Sequence, residues 1–123
     1  MKTGNVIQDK SYAFAVKIVK ICRSIMDEKK EFVLSKQMLR SGTAIGALVE
    51  EAIGGQTDKD FFSKMTIAYK EARETKYWIR LLNDSGLLEE VAALDLINDV
   101  EELLRIMGSI QKSMRIKMES RNS

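Results

Sequence analysis

The side chains that could do chemistry in this chain are carboxylates and cations, because the sequence has no histidine and a single cysteine, Cys22. Without histidine, the usual general base and the commonest metal ligand are both missing. One cysteine forms neither a zinc site nor an intrachain disulfide. Gly54-Gly55 lacks the Lys-Ser or Lys-Thr that completes a phosphate-binding loop. We therefore predict no catalytic residue, no metal site and no cofactor.

Carboxylate-only catalysis or a magnesium site would have to use Glu50, Glu51, Glu71 or Glu74. Arg40 precedes Glu51 by 11 residues, so the two lie about 20° apart on a helical wheel. A neighbouring helix that carries Glu71 and Glu74 would give Arg40 an acidic partner. We therefore predict that Arg40, Glu51, Glu71 and Glu74 form a structural ion-pair motif that fixes helix register.

The composition favours a single all-α domain that positions these groups. The 123 residues are 45% hydrophobic and 31% charged, with no proline, so nothing interrupts long helices. The single domain spans residues 1–123, with flexible tails predicted at about 1–8 and 119–123. The N-terminus lacks the apolar core of a signal peptide, and no stretch reaches the roughly 20 apolar residues of a membrane span. These features predict a cytoplasmic protein with no membrane partner.

Apolar residues at three- and four-residue spacing define four helical segments. Gly54-Gly55 is predicted to end the second in a left-handed stop, and Thr57 with Asp60 resembles a weak capping box for the third. Short connections make consecutive helices antiparallel, so we predict an up-down-up-down four-helix bundle. The segments run from about Asp9 to Lys29, from about Leu34 to Ile53, from Thr57 or Asp58 to Ser85-Gly86, and from about Glu89 to Lys117.

The first and third helices carry a second apolar row beside the core row. A lone bundle helix needs one apolar stripe, although a generous core would also explain a wider arc. Small residues of the second helix, Ser41 to Ala44 and Gly46-Ala47, allow close backbone approach. We predict that the chain self-associates through the second rows, which comprise Tyr12, Val19, Met26, Ile67, Trp78 and Leu81.

Basic residues concentrate in the first helix and in the second half of the fourth. Antiparallel packing brings these two regions together, which suggests a positive edge able to contact phosphates. A solvated face is the competing interpretation, because the net charge is only +2. The predicted nucleic-acid-binding residues are Lys10, Lys17, Lys20, Lys112, Arg115 and Lys117.

The central block of the sequence resembles a known bacterial family. The likeness is carried by the stretch from Leu39 to Ala47 and the run Glu50-Glu51-Ala52, and then by four further runs: Asp60 to Phe62, Ile67-Ala68, Lys70 to Thr75, and Tyr77 to Leu82. They closely resemble four-helix-bundle proteins related to those encoded in intervening sequences of 23S ribosomal RNA genes, which are sometimes labelled ribosomal proteins. This sequence has Leu48 where that family's motif usually has asparagine.

The resemblance implies a homo-oligomer, since relatives form pentameric rings, and it implies no enzymatic activity. The genomic setting of some relatives, and a distant similarity to the accessory protein of diversity-generating retroelements, imply contact with nucleic acid. Three functional hypotheses follow. The first is a nucleic-acid-associated accessory protein, the second a scaffold that binds a partner protein but no RNA or DNA, and the third a carboxylate-dependent enzyme.

Overall fold

The computed structural model describes the backbone of residues 3–122 and the side chains of residues 6–121. It contains four helices, α1 (Thr3–Lys29), α2 (Val33–Ile53), α3 (Asp58–Asp84) and α4 (Glu90–Asn122), and no strand within the described residues. Each helix packs against the next, and α4 returns to α1 through the smallest of the four interfaces. The prediction of an all-α, up-down-up-down four-helix bundle is confirmed.

The first and last helices are longer than predicted. α1 begins at Thr3 rather than near Asp9, because Ile7 continues the core stripe and is completely buried. α4 continues past Lys117 to Asn122, and Arg121 pairs with Asp58 at the start of α3. The flexibility of the tails stays a prediction, and residues 1, 2 and 123 lie outside the described part of the chain. Despite their length, none of the helices in the described residues has an apolar stretch able to cross a membrane.

The α1–α2 connection is fixed by a left-handed residue and a carboxylate cap. Lys30 has φ 55° at the end of α1. Glu31 then accepts hydrogen bonds of 2.9–3.0 Å from the backbone amides of Val33, Leu34 and Ser35, which satisfies donors that a helix start leaves unpaired. Partial burial of Glu31 opposes its ionisation, but these bonds outweigh that effect and lower the pKa of its carboxyl.

The prediction of a left-handed stop at Gly54-Gly55 is wrong. Gly54 caps α2 with φ −80°, and its amide bonds the Glu50 carbonyl within an ordinary helical turn. The cap predicted for α3 is present, since the Thr57 hydroxyl accepts a 3.0 Å hydrogen bond from the Asp60 amide.

Gly86 provides the left-handed stop at the end of α3. Its φ is +78°, its amide bonds the Asn83 carbonyl at 3.1 Å, and the Leu87 amide bonds the Leu82 carbonyl at 2.9 Å. This pair of bonds is the Schellman arrangement, which satisfies two carbonyls at the helix end. The same turn is held by the Asn83 side-chain amide, which donates to the Leu88 carbonyl.

Replacing Gly86 with alanine is expected to lower the free energy of unfolding by about 1–2 kcal/mol. No atom beyond the adjacent residues lies within 4 Å of the added Cβ, so the loss reflects backbone conformation alone. Urea titration followed by far-UV circular dichroism measures the loss. Gly54→Ala is the control, because φ −80° suits alanine, and an equal loss in both variants would contradict the assignment.

The core is apolar except for a few polar side chains, all of which are hydrogen-bonded. Ser41 of α2 and Thr75 of α3 are completely buried and hydrogen-bonded to each other at 2.9 Å. No buried side-chain nitrogen or oxygen within the described residues lacks a partner. The bond between Ser41 and Thr75 links α2 to α3 at mid-height and so favours one register of the two helices.

The small residues of α2 let α1 of the same chain approach closely. A Cβ at Gly42 would lie 2.8 Å from Cγ2 of Ile18, and a Cβ at Gly46 would lie 3.4 Å from the Ser11 carbonyl. Ile18 and Ser11 are both buried. Residues of α1 in the same chain therefore occupy the space that these two glycines leave open beside α2.

Candidate interaction surfaces

Three of the four residues of the predicted ion-pair motif meet between α2 and α3. The Arg40 guanidinium lies 3.2 Å from a Glu71 carboxylate oxygen and also pairs with Glu74. Glu74 accepts a 3.0 Å hydrogen bond from the indole nitrogen of Trp78. The Trp78 ring meets Tyr77 edge-on, with centroids 5.0 Å apart. The motif thus connects a charge cluster to the chain's one tryptophan.

Glu51 is not part of this cluster. Its carboxylate pairs with Lys64 at 2.9 Å, in a different layer of the same α2–α3 interface. Arg40 and Glu51 share a side of α2 but lie about 16 Å apart along its axis, given a rise of 1.5 Å per residue. Arg40 and Glu51 therefore cannot both form ion pairs with the same patch of α3.

Hydrogen bonds from Trp78 and Arg40 hold the pKa of the Glu74 carboxyl below its ordinary value of 4.5. Because the pKa is lowered in the folded state, the stabilisation is complete above the ordinary carboxyl pKa and is lost as pH falls through the folded pKa. We expect the fluorescence of Trp78 to change in an acid transition centred below pH 4.5. Measurement of emission against pH tests this.

Arg40→Gln is expected to move that transition upward, and Glu74→Gln to abolish it. Lys64→Gln is the matched control, because it removes a cation from the same interface away from Trp78. If the transition of the Arg40→Gln variant stays at the wild-type pH, Arg40 does not influence the pKa of Glu74.

Two of the predicted nucleic-acid-binding residues face acids of the fourth helix. Lys17 lies 2.8 Å from Asp99 and 3.0 Å from Asp95, and Lys10 lies 3.2 Å from Glu102. Hydrogen bonds to Asp99 and Asp95 raise the pKa of the Lys17 ammonium. The acidic first half of α4 thus neutralises this side of α1.

The other predicted cations do not form one positive edge with Lys10 and Lys17. Lys117 pairs with Asp58 at 3.5 Å, and the Arg115 guanidinium lies over the Phe62 ring, 5.7 Å from its centroid. Both contacts are with the start of α3. Lys20 and Lys112 are exposed on separate helices. A role of these residues in nucleic-acid binding stays a prediction.

The second apolar rows are only partly covered by the rest of the chain. Tyr12 is 72% exposed, Val19 36% and Ile67 39%. Val16, a residue outside the predicted interface, lies between Tyr12 and Val19 on the same side of α1 and is 37% exposed. The remaining members of the predicted interface, Met26, Trp78 and Leu81, are half-buried. Membership of a subunit interface stays a prediction for all six residues.

A basic groove that sequence analysis missed lies where α3 packs against α4. It has a volume of about 280 Å³ and is lined by Arg73, Lys76, Tyr77, Arg80 and Leu104. The signal was present in the sequence, because Arg73, Tyr77 and Arg80 follow one another at helical spacing on one side of α3. We refer to these five residues as the α3–α4 groove.

Known proteins share both the sequence pattern and the architecture of this chain. The family model described as 23S rRNA-intervening sequence protein matches residues 4–109. A crystal structure from Bacteroides thetaiotaomicron VPI-5482, described as a protein with unknown function from the S23 ribosomal protein family, is similar with a TM-score of 0.88. The two chains are 44% identical, and the match covers 90% of this chain and 99% of the other. No curated protein matched significantly. Since the family model matches most of its length, this chain belongs to the 23S rRNA-intervening sequence protein family.

Proposed function

We propose that the protein is a non-enzymatic, homo-oligomeric accessory protein of the cytoplasm that associates with nucleic acid, and that its assembly is a pentamer. The observation that carries the proposal is the apolar surface left open on α1 and α3, of which Tyr12 at 72% exposure is the clearest part. A second copy of the chain is the occupant that the family resemblance favours.

The arrangement of the surfaces supports an assembly that leaves cations accessible. The exposed residues Tyr12, Val16 and Val19 lie on the side of α1 away from its α4-facing lysines, and we call this side the apolar flank. The α3–α4 groove lies on a different side of the bundle. Copies that cover the apolar flank therefore leave the basic groove open, and a ring repeats the groove around its axis.

A protein-interaction scaffold without nucleic-acid binding is the second candidate. The pairing of Lys10 and Lys17 with acids of α4 favours it, because those cations cannot attract phosphates as fully as free ones. The net charge of +2 also gives the whole chain little attraction for a polyanion.

Two measurements test the proposal. Light scattering on a sizing column is expected to give a mass several times the 14.0 kDa of one chain, and a monomer would refute the assembly. Titration with labelled RNA and DNA at increasing salt is expected to show affinity that falls steeply as counterions compete for phosphate contacts. Absence of binding even at low salt would refute nucleic-acid association and leave the scaffold.

A further inference from the structure

We propose that the α3–α4 groove binds single-stranded nucleic acid, with its arginines contacting phosphates and Tyr77 stacking on an unpaired base. This inference rests on the proposed function and gives it a site and a ligand class.

The cations of the groove are less compensated than those predicted from the sequence. Lys76 pairs with Glu101 at 2.9 Å, but no salt bridge involves Arg73 or Arg80 anywhere in the described part of the chain. Both arginines are exposed. Guanidinium groups donate paired hydrogen bonds in a planar fork that fits phosphate oxygens, so two free arginines make a better anion site than neutralised lysines.

The spacing of the groove suits a strand that runs along α3. Arg73 and Arg80 are seven residues apart, which separates their Cα atoms by about 10 Å along the helix axis. Tyr77 lies between them, one turn from each, on the same side of the helix. Neighbouring phosphates of one strand can thus meet the two arginines while the intervening base reaches the ring.

The exposed ring of Tyr77 favours a ligand with unpaired bases over a duplex. The residue is 55% exposed, and its ring is held edge-on against Trp78, which is half-buried. Exposed aromatic rings beside cations are how proteins hold single strands, since each base offers a face for stacking, whereas the bases of a duplex are already stacked on each other.

The test compares three variants in binding to a fluorescein-labelled oligouridylate. Arg73→Gln/Arg80→Gln is expected to lower the slope of log affinity against log salt by about 1.4, for two lost contacts to a single strand. Tyr77→Ala is expected to weaken binding roughly 5- to 150-fold, and Tyr77→Phe to restore it because the ring remains. Far-UV circular dichroism and the thermal midpoint confirm that each variant folds.

Lys29→Gln/Lys36→Gln is the matched control, because it removes two exposed charges from α1 and α2 that belong neither to the groove nor to the predicted nucleic-acid-binding residues. If the control weakens binding as much as the arginine variant, or if Tyr77→Ala binds as the wild type does, the groove is not the site, while the proposed function stands. Equal affinity for duplex RNA would overturn the single-strand assignment. Absence of binding by the wild type would overturn the proposed function itself.

Discussion

Replacing Ile18 with alanine is expected to lower the free energy of unfolding by about 2–5 kcal/mol, and Gly42→Ala to lower it by about 1–3 kcal/mol. Ile18 is completely buried, so its truncation leaves a cavity. The methyl group that Gly42→Ala adds would instead lie 2.8 Å from Cγ2 and 2.9 Å from Cγ1 of Ile18. Since Ile18 is β-branched and stiff, it cannot move aside cheaply.

The double variant Ile18→Ala/Gly42→Ala is expected to lose less than the sum of the two single losses, by at least about 1 kcal/mol. The clash disappears with the isoleucine, and the new methyl group fills part of the cavity. Urea denaturation of the four proteins in the cycle measures the coupling. Additive losses would show that α1 and α2 do not meet at this pair.

Gly108→Ala is the control for helix propensity. A Cβ at this position would lie 3.6 Å from Cε1 of Tyr69, which is ordinary contact. The substitution is therefore expected to stabilise the protein by about 0.5–1 kcal/mol, as alanine does in place of a helical glycine. Exchange of glycine for alanine is thus expected to lower the free energy of unfolding at Gly42 in α2 and to raise it at Gly108 in α4.

Val16→Glu is expected to convert the proposed assembly into monomers. An unpaired charge buried at an interface costs about 3–5 kcal/mol, which lowers the association constant by roughly two to four orders of magnitude. The single subunit tolerates the change, because Val16 is 37% exposed. Light scattering on a sizing column, with the thermal midpoint as a check of folding, measures the outcome.

Val91→Glu is the matched control for the assembly. It makes the same exchange at a valine on α4 that is 82% exposed, away from the apolar flank of α1. The control is expected to keep the mass of the wild type. A Val16→Glu variant that also keeps this mass would place any interface between copies elsewhere on the molecule.

The fold was predictable because apolar spacing along a helix directly encodes its buried side. The three- and four-residue spacing of α1 predicts a core stripe of Phe14, Ile18, Ile21, Cys22 and Ile25. All of these are buried except Ile21, which is half-buried. The early start of α1 was missed, since Ile7 alone signals one more buried turn. The stop at Gly54-Gly55 was wrong because glycine permits the left-handed conformation without requiring it, and Gly54 stays in the right-handed region.

The candidate surfaces were harder to predict because they depend on which side chains meet across helices. The expected acidic partners of Arg40 on α3, Glu71 and Glu74, are present. Glu51 was wrongly added because the helical wheel gives only the angle between two residues and not their distance along the helix. Counting charges along one helix could not show that Lys17 would face Asp95 and Asp99 of another.

The seam between α1 and α4 differs from the other three in having neither a connecting turn nor an extensive contact. Its ion pairs, Lys10 with Glu102 and Lys17 with Asp95 and Asp99, are partly exposed and therefore screened by added electrolyte. High ionic strength should loosen this boundary before any other. Amide hydrogens of α1 that face α4 would then exchange with solvent sooner than those at the α2–α3 boundary, where Ser41 and Thr75 are bonded out of reach of ions.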